Sequence, residues 1–292
     1  MDKLVRQAVF GAVLLLALLS LPGGVSAQPL PTPAEFVRFL DLRCYDIPNQ
    51  PPLGLPLVLD HLNPVFREYG APPEDVVLRE PQELCVPVRK ESQFIPHSVL
   101  PFLRFADLKC YAIDGPPLDL PLQLDQLNPE IAARFGPATH VIVREPQQLC
   151  VPVAKNGQFP PPDVRRLIEF LDVKCYRVEA PPIPTTPIKL THLNPLFAGI
   201  PTEKAYLWNA PQQLCVPVAK NGKYPPDDVL KIIAYSDVLC YNLRGLPLNW
   251  QLILHHLNPV LIDLGAPRED VWVGDSTELC VPVAKNGQFP PG

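Results

Sequence analysis

A nine-residue string that returns at a fixed interval constrains this chain more than any other feature. Residues 149–157 read LCVPVAKNG, and the same letters stand at 214–222 and 279–287. An earlier copy at 84–92 reads LCVPVRKES and lacks the Asn-Gly end. The cysteines of the four copies are 65 positions apart: Cys85, Cys150, Cys215 and Cys280. A fixed period of this length is typical of a protein built from repeated structural units.

The first 27 residues have the features of a secretory leader. Lys3 and Arg6 precede an apolar run from Ala8 to Leu21, and a Val-Ser-Ala sequence ends at Ala27. The apolar run is shorter than the roughly 20 residues that a membrane-spanning helix needs. We therefore predict a cleaved signal peptide at 1–27, a secreted or periplasmic protein, and no membrane span after cleavage.

The net charge argues against binding to nucleic acid or an anionic membrane, and the placement of the prolines argues against disorder. The net charge is −5, which does not favour binding to nucleic acid or to an anionic membrane. The 41 prolines of the 292 residues would suggest disorder if they were clustered. They recur instead in step with the repeat, so they are expected to mark strand ends and turns.

The period divides the chain into four modules, at 34–97, 98–162, 163–227 and 228–292. In the second module, Leu108 to Ile113 and Leu122 to Leu127 alternate apolar and polar residues, as strands with one buried face do. Asn128-Pro129 then predicts the start of a helical turn, with the asparagine as the capping residue.

Two further strands follow this turn. The third strand contains three apolar residues in a row, Val141 to Val143, which favours cover on both faces. The fourth is the repeated string itself, whose proline at 87, 152, 217 or 282 cannot donate to a strand ladder and so favours an edge position. Phe-Pro-Pro tracts such as Phe159 to Pro162 are expected to form short, stiff connectors between the modules.

We predict an all-β fold of four tandem, small, β-rich modules of about 65 residues, each with a short helical turn and one disulfide. The alternative is a closed four-bladed β-propeller, because four strands per repeat is the number in a propeller blade. The copies begin and end in phase and exchange no strand between the two ends of the chain. This favours an open array over a closed ring.

The eight cysteines of an exported chain are expected to form disulfides. One arrangement closes each module on itself, and the other joins neighbouring modules, such as Cys85 to Cys110. The second arrangement leaves Cys44 and Cys280 unpaired unless the array closes into a ring. We favour closure within modules because a disulfide that closes a loop of this length contributes roughly 4 kcal/mol to a marginal module. The predicted pairs are Cys44 with Cys85, Cys110 with Cys150, Cys175 with Cys215, and Cys240 with Cys280.

Spacing argues against a metal site. No two cysteines are close enough in sequence for the paired ligands of a zinc site. Three modules carry a histidine at one position, and the second module has Gln126 there: His61, His192 and His256. Alternation places these histidines on the same face as leucines, so we expect a hydrogen-bonded side chain at the edge of the core. A ring of histidine ligands is the alternative, and we expect no bound metal and no cofactor.

One aspartate precedes the first strand of every module, at 41, 107, 172 and 237. We expect its carboxylate to accept backbone N–H bonds at a turn or strand start. A calcium ligand is the alternative, although no acidic cluster supplies the further oxygens that calcium needs.

The tyrosine after the first cysteine of each module falls on the opposite face of its strand. The four are Tyr45, Tyr111, Tyr176 and Tyr241. They either pack between modules or form an exposed aromatic row, and this row is our candidate binding surface for a glycan or a surface protein.

The pattern Asp-x-x-Cys-Tyr, followed about 40 residues later by Leu-Cys-x-Pro-Val-x-Lys-Asn-Gly, resembles an uncharacterised family of secreted bacterial repeat domains. The resemblance covers nearly the whole chain after the leader, and the LCVPVAKNG string is its specific part. It implies an exported bacterial protein and assigns no activity.

The sequence contains no nucleophile elbow, zinc-protease helix or phosphate-binding glycine loop. We therefore predict a secreted, non-catalytic repeat protein that serves as a multivalent binding or structural module. The alternative function is a secreted hydrolase or metal-dependent enzyme on a propeller-like scaffold. We expect single modules to fold alone when oxidised.

Overall fold

The computed structural model describes residues 28–91 and 93–292, so the predicted signal peptide at 1–27 lies outside the described residues. Strands dominate, as the all-β prediction requires. The strands are β1 (Leu42–Asp46), β2 (Pro56–His61), β3 (Glu74–Val77), β4 (Pro81–Lys90), β5 (Leu108–Ala112), β6 (Leu120–Gln126), β7 (Ala138–Lys155), β8 (Val173–Glu179), β9 (Ile183–His192), β10 (Glu203–Lys220), β11 (Val238–Arg244), β12 (Trp250–His256), β13 (Glu269–Val273) and β14 (Ser276–Lys285).

The first and last strands of each module join into one closed ring of eight antiparallel strands. Around the ring the order is β1, β4, β5, β7, β8, β10, β11 and β14. The ring closes because β14 pairs with β1, with Leu42 opposite Cys280. The expectation of an open array is therefore wrong.

The described strands also do not show a four-bladed propeller. Blades of a propeller are separate sheets, whereas here neighbouring modules share hydrogen-bonded ladders, such as β4 with β5. The closing pair, β1 and β14, is a ladder between the two ends of the chain, which an in-phase repeat does not reveal.

Modules two places apart exchange strands. The end of β2 pairs with the end of β10, and the end of β9 pairs with the end of β4, so modules 1 and 3 are joined reciprocally. Modules 2 and 4 are joined in the same way, through β6 with β14 and β12 with β7. A module is thus a repeat in the sequence but not a separate sheet, because its strands also pair with strands of the module two places away.

The proline of the repeated string marks the point where a fourth strand changes partner. In β10, the ladder with β11 ends at Cys215, and the ladder with β2 begins at Val218. Pro217 lies between them, where no N–H is required, and its carbonyl oxygen accepts from the N–H of Leu62 over 2.9 Å. Pro87, Pro152 and Pro282 occupy the equivalent gaps. The fourth strands are therefore central strands, and the edge position predicted from proline is wrong.

Seven α-helices accompany the strands in the described part of the chain. Three begin at the predicted Asn-Pro signals, and the third module has a single 3₁₀ turn there, at Pro195–Phe197. The other four precede the first strands, where the sequence predicted stiff connectors. The helices are α1 (Pro33–Arg38), α2 (Pro64–Glu68), α3 (Leu100–Leu103), α4 (Pro129–Phe135), α5 (Pro162–Ile168), α6 (Asp227–Ile233) and α7 (Pro259–Asp263).

The helices α1, α3, α5 and α6 cover the inside of the strand ring. Their apolar residues, such as Val164, Leu167 and Ile168, belong to the same buried cluster as all eight cysteines. This spacing of three and four residues is the pattern of an amphipathic helix. None of the helices in residues 28–292 that the structure describes is long and apolar enough to span a membrane.

The third strands have one buried face and one exposed face. Val76 is buried, whereas the adjacent Val77 is 49% exposed. Ile142 and Trp272 occupy the same exposed position. The prediction of cover on both faces is wrong, because three adjacent apolar residues here include one that points to solvent.

Candidate functional site

The eight cysteines form four disulfides within modules, as predicted. The pairs are Cys44 with Cys85, Cys110 with Cys150, Cys175 with Cys215, and Cys240 with Cys280. Each pair lies directly opposite across the ladder between the first and fourth strands of its module. All eight side chains are at most 4% exposed and belong to the core inside the strand ring. We call this set the cysteine ring.

A second layer of polar side chains lies two residues before the cysteines of the fourth strands. It comprises Glu83, Gln148, Gln213 and Glu278. Gln213 donates to the carboxylate of Glu278 over 3.4 Å. Burial raises the pKa of both glutamates, and the nearby Glu83 raises that of Glu278 further. Two acids inside the strand ring are therefore held toward their neutral forms.

The two groupings of three potential metal ligands found in the described residues involve these glutamates. Glu83 lies with Cys44 and Cys85, and Glu278 lies with Cys44 and Cys280. In each grouping the ligand atoms are within 4.8 Å of one another. The cysteines are in disulfides and offer no thiolate, which is the form that binds metal.

The repeated aspartate pairs with the lysine of the repeated string. Asp107 is buried and forms an ion pair with the Lys155 ammonium group of its own module. Asn194 of the next module donates to Asp107 over 2.7 Å, while its Oδ1 accepts from the N–H of Leu196. The aspartate therefore bonds to side chains, and the predicted backbone partners are wrong. Three further ion pairs repeat the arrangement: Lys90 with Asp41, Lys220 with Asp172, and Lys285 with Asp237.

Burial governs the protonation of these aspartates. It raises the pKa of Asp172 and of Asp237 to about 6, although the attraction of Lys220 and Lys285 acts in the opposite direction. The four positions are about as buried as any in the protein. Asp107, Asp172 and Asp237 each also accept from an asparagine of a neighbouring module, so these three carboxylates join adjacent modules.

The four tyrosines are buried, so they form no exposed aromatic row. Tyr45, Tyr111, Tyr176 and Tyr241 are at most 2% exposed. Strand alternation correctly places them opposite the cysteines, but the exchanged hairpins of other modules cover that face. The candidate binding surface at these residues is therefore wrong, and packing between modules is what the structure shows.

Each tyrosine hydroxyl meets the repeated histidine of the module two places away. Tyr176 Oη and His61 Nε2 are 2.9 Å apart, and the corresponding Tyr45–His192 and Tyr111–His256 distances are 3.0 and 3.1 Å. Gln126 Nε2 donates to Tyr241 Oη over 3.0 Å in the fourth place. Glutamine thus replaces the histidine bond, as expected for a hydrogen-bonding residue at the edge of the core.

A charge pair stands beside each of the three histidines. The Lys174 ammonium lies 2.5 Å from the Glu74 carboxylate, which is 3.8 Å from His61. Burial would raise the pKa of Glu74, but the hydrogen bond from Lys174 and the nearby His61 ring outweigh it and hold the pKa at about 2. The other two pairs are Arg43 with Glu203 and Lys109 with Glu269.

At the fourth site, around Tyr241, none of the three charged or titratable groups is present. Leu239 stands where the cation is elsewhere, Thr139 where the glutamate is, and Gln126 where the histidine is. Thr139 lies opposite Leu124 in its strand pair, just as Glu74 lies opposite Leu59. Joint replacement is expected because a single one would leave a buried charge without its partner.

The Asn-Gly end of the repeated string also joins opposite modules. Asn221 has φ of 49° and Gly222 has φ of 70°. A two-residue type I′ hairpin turn needs such left-handed values at both central residues. Asn221 Oδ1 accepts from the N–H of Val58 over 2.8 Å. Asn156 and Asn286 make the equivalent bonds to Ile253 and Gln123. The cysteine, proline, lysine and asparagine of the string thus each have a structural contact of their own.

The exposed aromatic residues at one repeat position follow these turns. They are Phe94, Phe159, Tyr224 and Phe289, with 74, 48, 44 and 56% of their surface exposed. We call them the aromatic set. The sequence predicted connectors at these positions and no binding surface. Their recurrence in all four modules, two residues after the Asn-Gly position, was the signal that could have found them.

Two members of the aromatic set contact a polar residue of the module two places away, and the equivalent residue lines the groove of Phe94 and bonds to the turn before Phe289. Phe159 packs on His255 with ring centroids 5.4 Å apart, and the hydroxyl of Tyr224 donates to Asp60. Phe94 and Thr191 line one groove. Gly287, two residues before Phe289, donates its N–H to Asp125 over 3.2 Å. Asp60, Asp125, Thr191 and His255 occupy a single repeat position.

No protein-family model, curated protein or solved structure matches this chain. The four disulfides fit an oxidising location outside the cytoplasm.

Proposed function

We propose that the protein is an exported, non-catalytic binding scaffold that holds a polysaccharide through four equivalent sites. Each site consists of one member of the aromatic set and the polar residue beside it. The observation that supports this proposal is an exposed aromatic ring that recurs at one position in all four modules and that contacts a hydrogen-bonding side chain of another module at Phe159 and Tyr224.

The chemistry of each site suits a sugar. One face of a sugar ring carries C–H groups that pack on an aromatic ring, and its hydroxyl groups exchange hydrogen bonds with nearby polar groups. Phe159 with His255 and Tyr224 with Asp60 offer this combination. The polar partner is an aspartate at two sites, a threonine at one and a histidine at one, so the sites can favour different hydroxyl patterns on the same polymer.

A polysaccharide fits the arrangement better than a protein partner does. Stable protein interfaces bury about 800 Å² on each side and have a continuous apolar centre. The aromatic set offers single rings at separated positions. Weak, repeated sites become effective when one polymer engages several of them, and avidity can then rise by roughly 10² to 10⁴.

Retention on insoluble cellulose, chitin, xylan and peptidoglycan tests the proposal. The alanine variants of Phe94, Phe159, Tyr224 and Phe289 are combined stepwise. We expect each substitution to weaken retention on the bound polymer by a few-fold and the quadruple variant to lose about 100-fold or more.

Ile262→Ala is the matched control, because Ile262 is 45% exposed and lies outside the aromatic set. It should bind like the unaltered protein. Equal binding by the quadruple variant would contradict the proposal, and complete loss from one substitution would point to a single site.

A further inference from the structure

The cysteine ring brings sulfur atoms of different disulfides into contact. Cys85 and Cys110 belong to neighbouring modules, and their sulfurs are 3.8 Å apart. The three other unbonded contacts are Cys150 with Cys175 at 3.7 Å, Cys215 with Cys240 at 3.8 Å, and Cys280 with Cys44 at 3.8 Å. Eight sulfur atoms therefore form a closed circuit in which disulfide bonds and van der Waals contacts alternate.

We propose that the cysteine ring is a thiol–disulfide exchange site, in which a thiol created in one module passes to the other modules around the circuit. The substrate that creates the thiol is a dithiol reductant. A dithiol that reduces one disulfide is itself oxidised to a disulfide, and its two electrons leave two thiols in the ring.

Each transfer conserves the number of disulfides. When Cys85 is the free thiolate, it attacks the sulfur of Cys110. A bond forms between Cys85 and Cys110, the bond between Cys110 and Cys150 breaks, and the electron pair of that bond leaves on the sulfur of Cys150. Cys150 is then in contact with Cys175, and the same step repeats.

The geometry of the ring supports this sequence of attacks. The bonded partner of the attacked sulfur always lies further along the circuit, so each transfer moves the free thiolate one module onward. The ladder places Cys85 opposite Leu108 and Glu83 opposite Cys110, so the two cysteines are diagonal neighbours on one face. Diagonal side chains of paired strands are within reach of each other.

Two acids lie where a proton must move. Glu83 is close to Cys44 and Cys85, and Glu278 is close to Cys44 and Cys280. Burial raises the pKa of each carboxyl group toward that of a thiol, which brings the proton affinities of the two groups closer together. The carboxyl group, held toward its neutral form, can donate its proton to a thiolate that leaves beside it, and the carboxylate left behind can accept the proton of a neighbouring thiol.

The variant Cys44→Ser tests the proposal because it frees Cys85 and interrupts the circuit at one point. The protein is moved from pH 4 to pH 8.5 under native conditions, its thiols are then alkylated, and unreduced peptides are mapped by mass spectrometry. We expect alkylation at Cys85, Cys150, Cys215 and Cys280, together with peptides that join Cys85 to Cys110, Cys150 to Cys175, and Cys215 to Cys240.

The variant Cys280→Ser is the mirror experiment, since it frees Cys240. Exchange in the opposite direction should alkylate the complementary set, Cys240, Cys175, Cys110 and Cys44. The double variant Cys44→Ser with Cys85→Ser has no free thiol and should keep the three remaining disulfides within their modules. If the serine variants do not fold, the unaltered protein is treated with one equivalent of dithiothreitol instead. It should then yield the peptide that joins Cys85 to Cys110.

Two results would overturn the proposal. Alkylation of Cys85 alone in Cys44→Ser would show that the thiol does not move. Alkylation at Cys110, Cys175 or Cys240 in that variant would show random exchange through unfolded chains. If the serine variants do not fold, absence of the peptide joining Cys85 to Cys110 from the dithiothreitol-treated protein would be equally decisive.

Discussion

The backbone N–H of Ala34 donates to the carbonyl oxygen of Pro291 over 3.0 Å. This bond joins the start of α1 to the last residues of the chain. Together with the ladder between β1 and β14, it means that the strand ring has no structural beginning. Cutting the chain between two other modules should therefore leave the contacts of the fold intact.

We predict that a circular permutant folds. Gly292 is joined to Gln28 by a short Gly-Ser linker, and the new ends are placed between His97 and Ser98, which are both exposed. The permutant should form all four disulfides, and its free energy of unfolding should lie within about 1 kcal/mol of the original, because loop closure costs change little with loop length. Urea unfolding measures the free energy of unfolding, and peptide mapping identifies the disulfides. Failure to form the closing β1–β14 ladder would appear as loss of native disulfides.

A second prediction concerns the isolated second module, residues 98–162. The sequence led us to expect that single modules fold alone. The structure leads us to expect the opposite, because β6 and the end of β7 complete their sheets with β14 and β12 of module 4. The oxidised fragment should give an unfolded circular dichroism spectrum, whereas residues 28–292 should not. A cooperative unfolding transition of the fragment would contradict the exchange of strands.

A third prediction uses the neutral site of Tyr241 as a template. Lys174→Leu alone leaves Glu74 without its cation, and we expect it to lower the free energy of unfolding by about 2–4 kcal/mol. The triple variant Lys174→Leu, Glu74→Thr and His61→Gln copies the neutral site and should recover to within about 1 kcal/mol of the original.

Urea unfolding at pH 7.5 separates these variants. The single change Tyr241→Phe is the control for the neutral site, since it removes only the hydrogen bond from Gln126 and should cost about 1 kcal/mol. A triple variant no more stable than Lys174→Leu would show that the three positions are not coupled.

A fourth prediction concerns acid stability. Burial, reinforced by nearby cations, lowers the pKa of His192 and His256 to about 3. Their unfolded pKa is about 6.5, so between these values the unfolded chain binds protons that the folded protein does not. Stability attributable to these histidines is complete above pH 6.5 and is lost as the pH falls toward 3, by about 1.4 kcal/mol per pH unit for each histidine.

The variant His192→Gln with His256→Gln should lack this loss. Its free energy of unfolding, relative to the unaltered protein, should rise steadily as urea curves are recorded at pH 7.5, 5.5 and 4.5. His97→Gln is the matched control at an exposed histidine. A difference that is constant with pH would show that the buried imidazoles are protonated as readily as in the unfolded chain.

Local features of the fold could be predicted from the sequence. Cysteine spacing predicted the four disulfides, and Asn-Pro predicted the helix starts, where the Asn63 side chain accepts from the N–H of Val65. These predictions succeed because they depend on short stretches or on a repeated distance. The helices before the first strands were missed, although Val164, Leu167 and Ile168 have helical spacing, because the adjacent prolines were taken as the stronger signal.

Long-range contacts could not be predicted in this way. Alternation placed Tyr176 opposite Cys175 but did not reveal that His61, 115 positions away, covers it. The pairing of β2 with β10 leaves no periodic trace, since every module has the same pattern whichever module it pairs with. The candidate tyrosine surface failed for this reason.

The exchange of strands between modules two places apart limits how such a protein can grow. Tyr45 contacts His192 and Tyr176 contacts His61, so modules 1 and 3 are each other's partners. Only in a cycle of four is the unit two steps ahead also the unit two steps behind. In a ring with one repeat more, each unit would give its hairpin to one neighbour and accept a hairpin from a different one. Duplication of a single repeat would therefore replace two closed pairs by one continuous chain of exchanges through all the units.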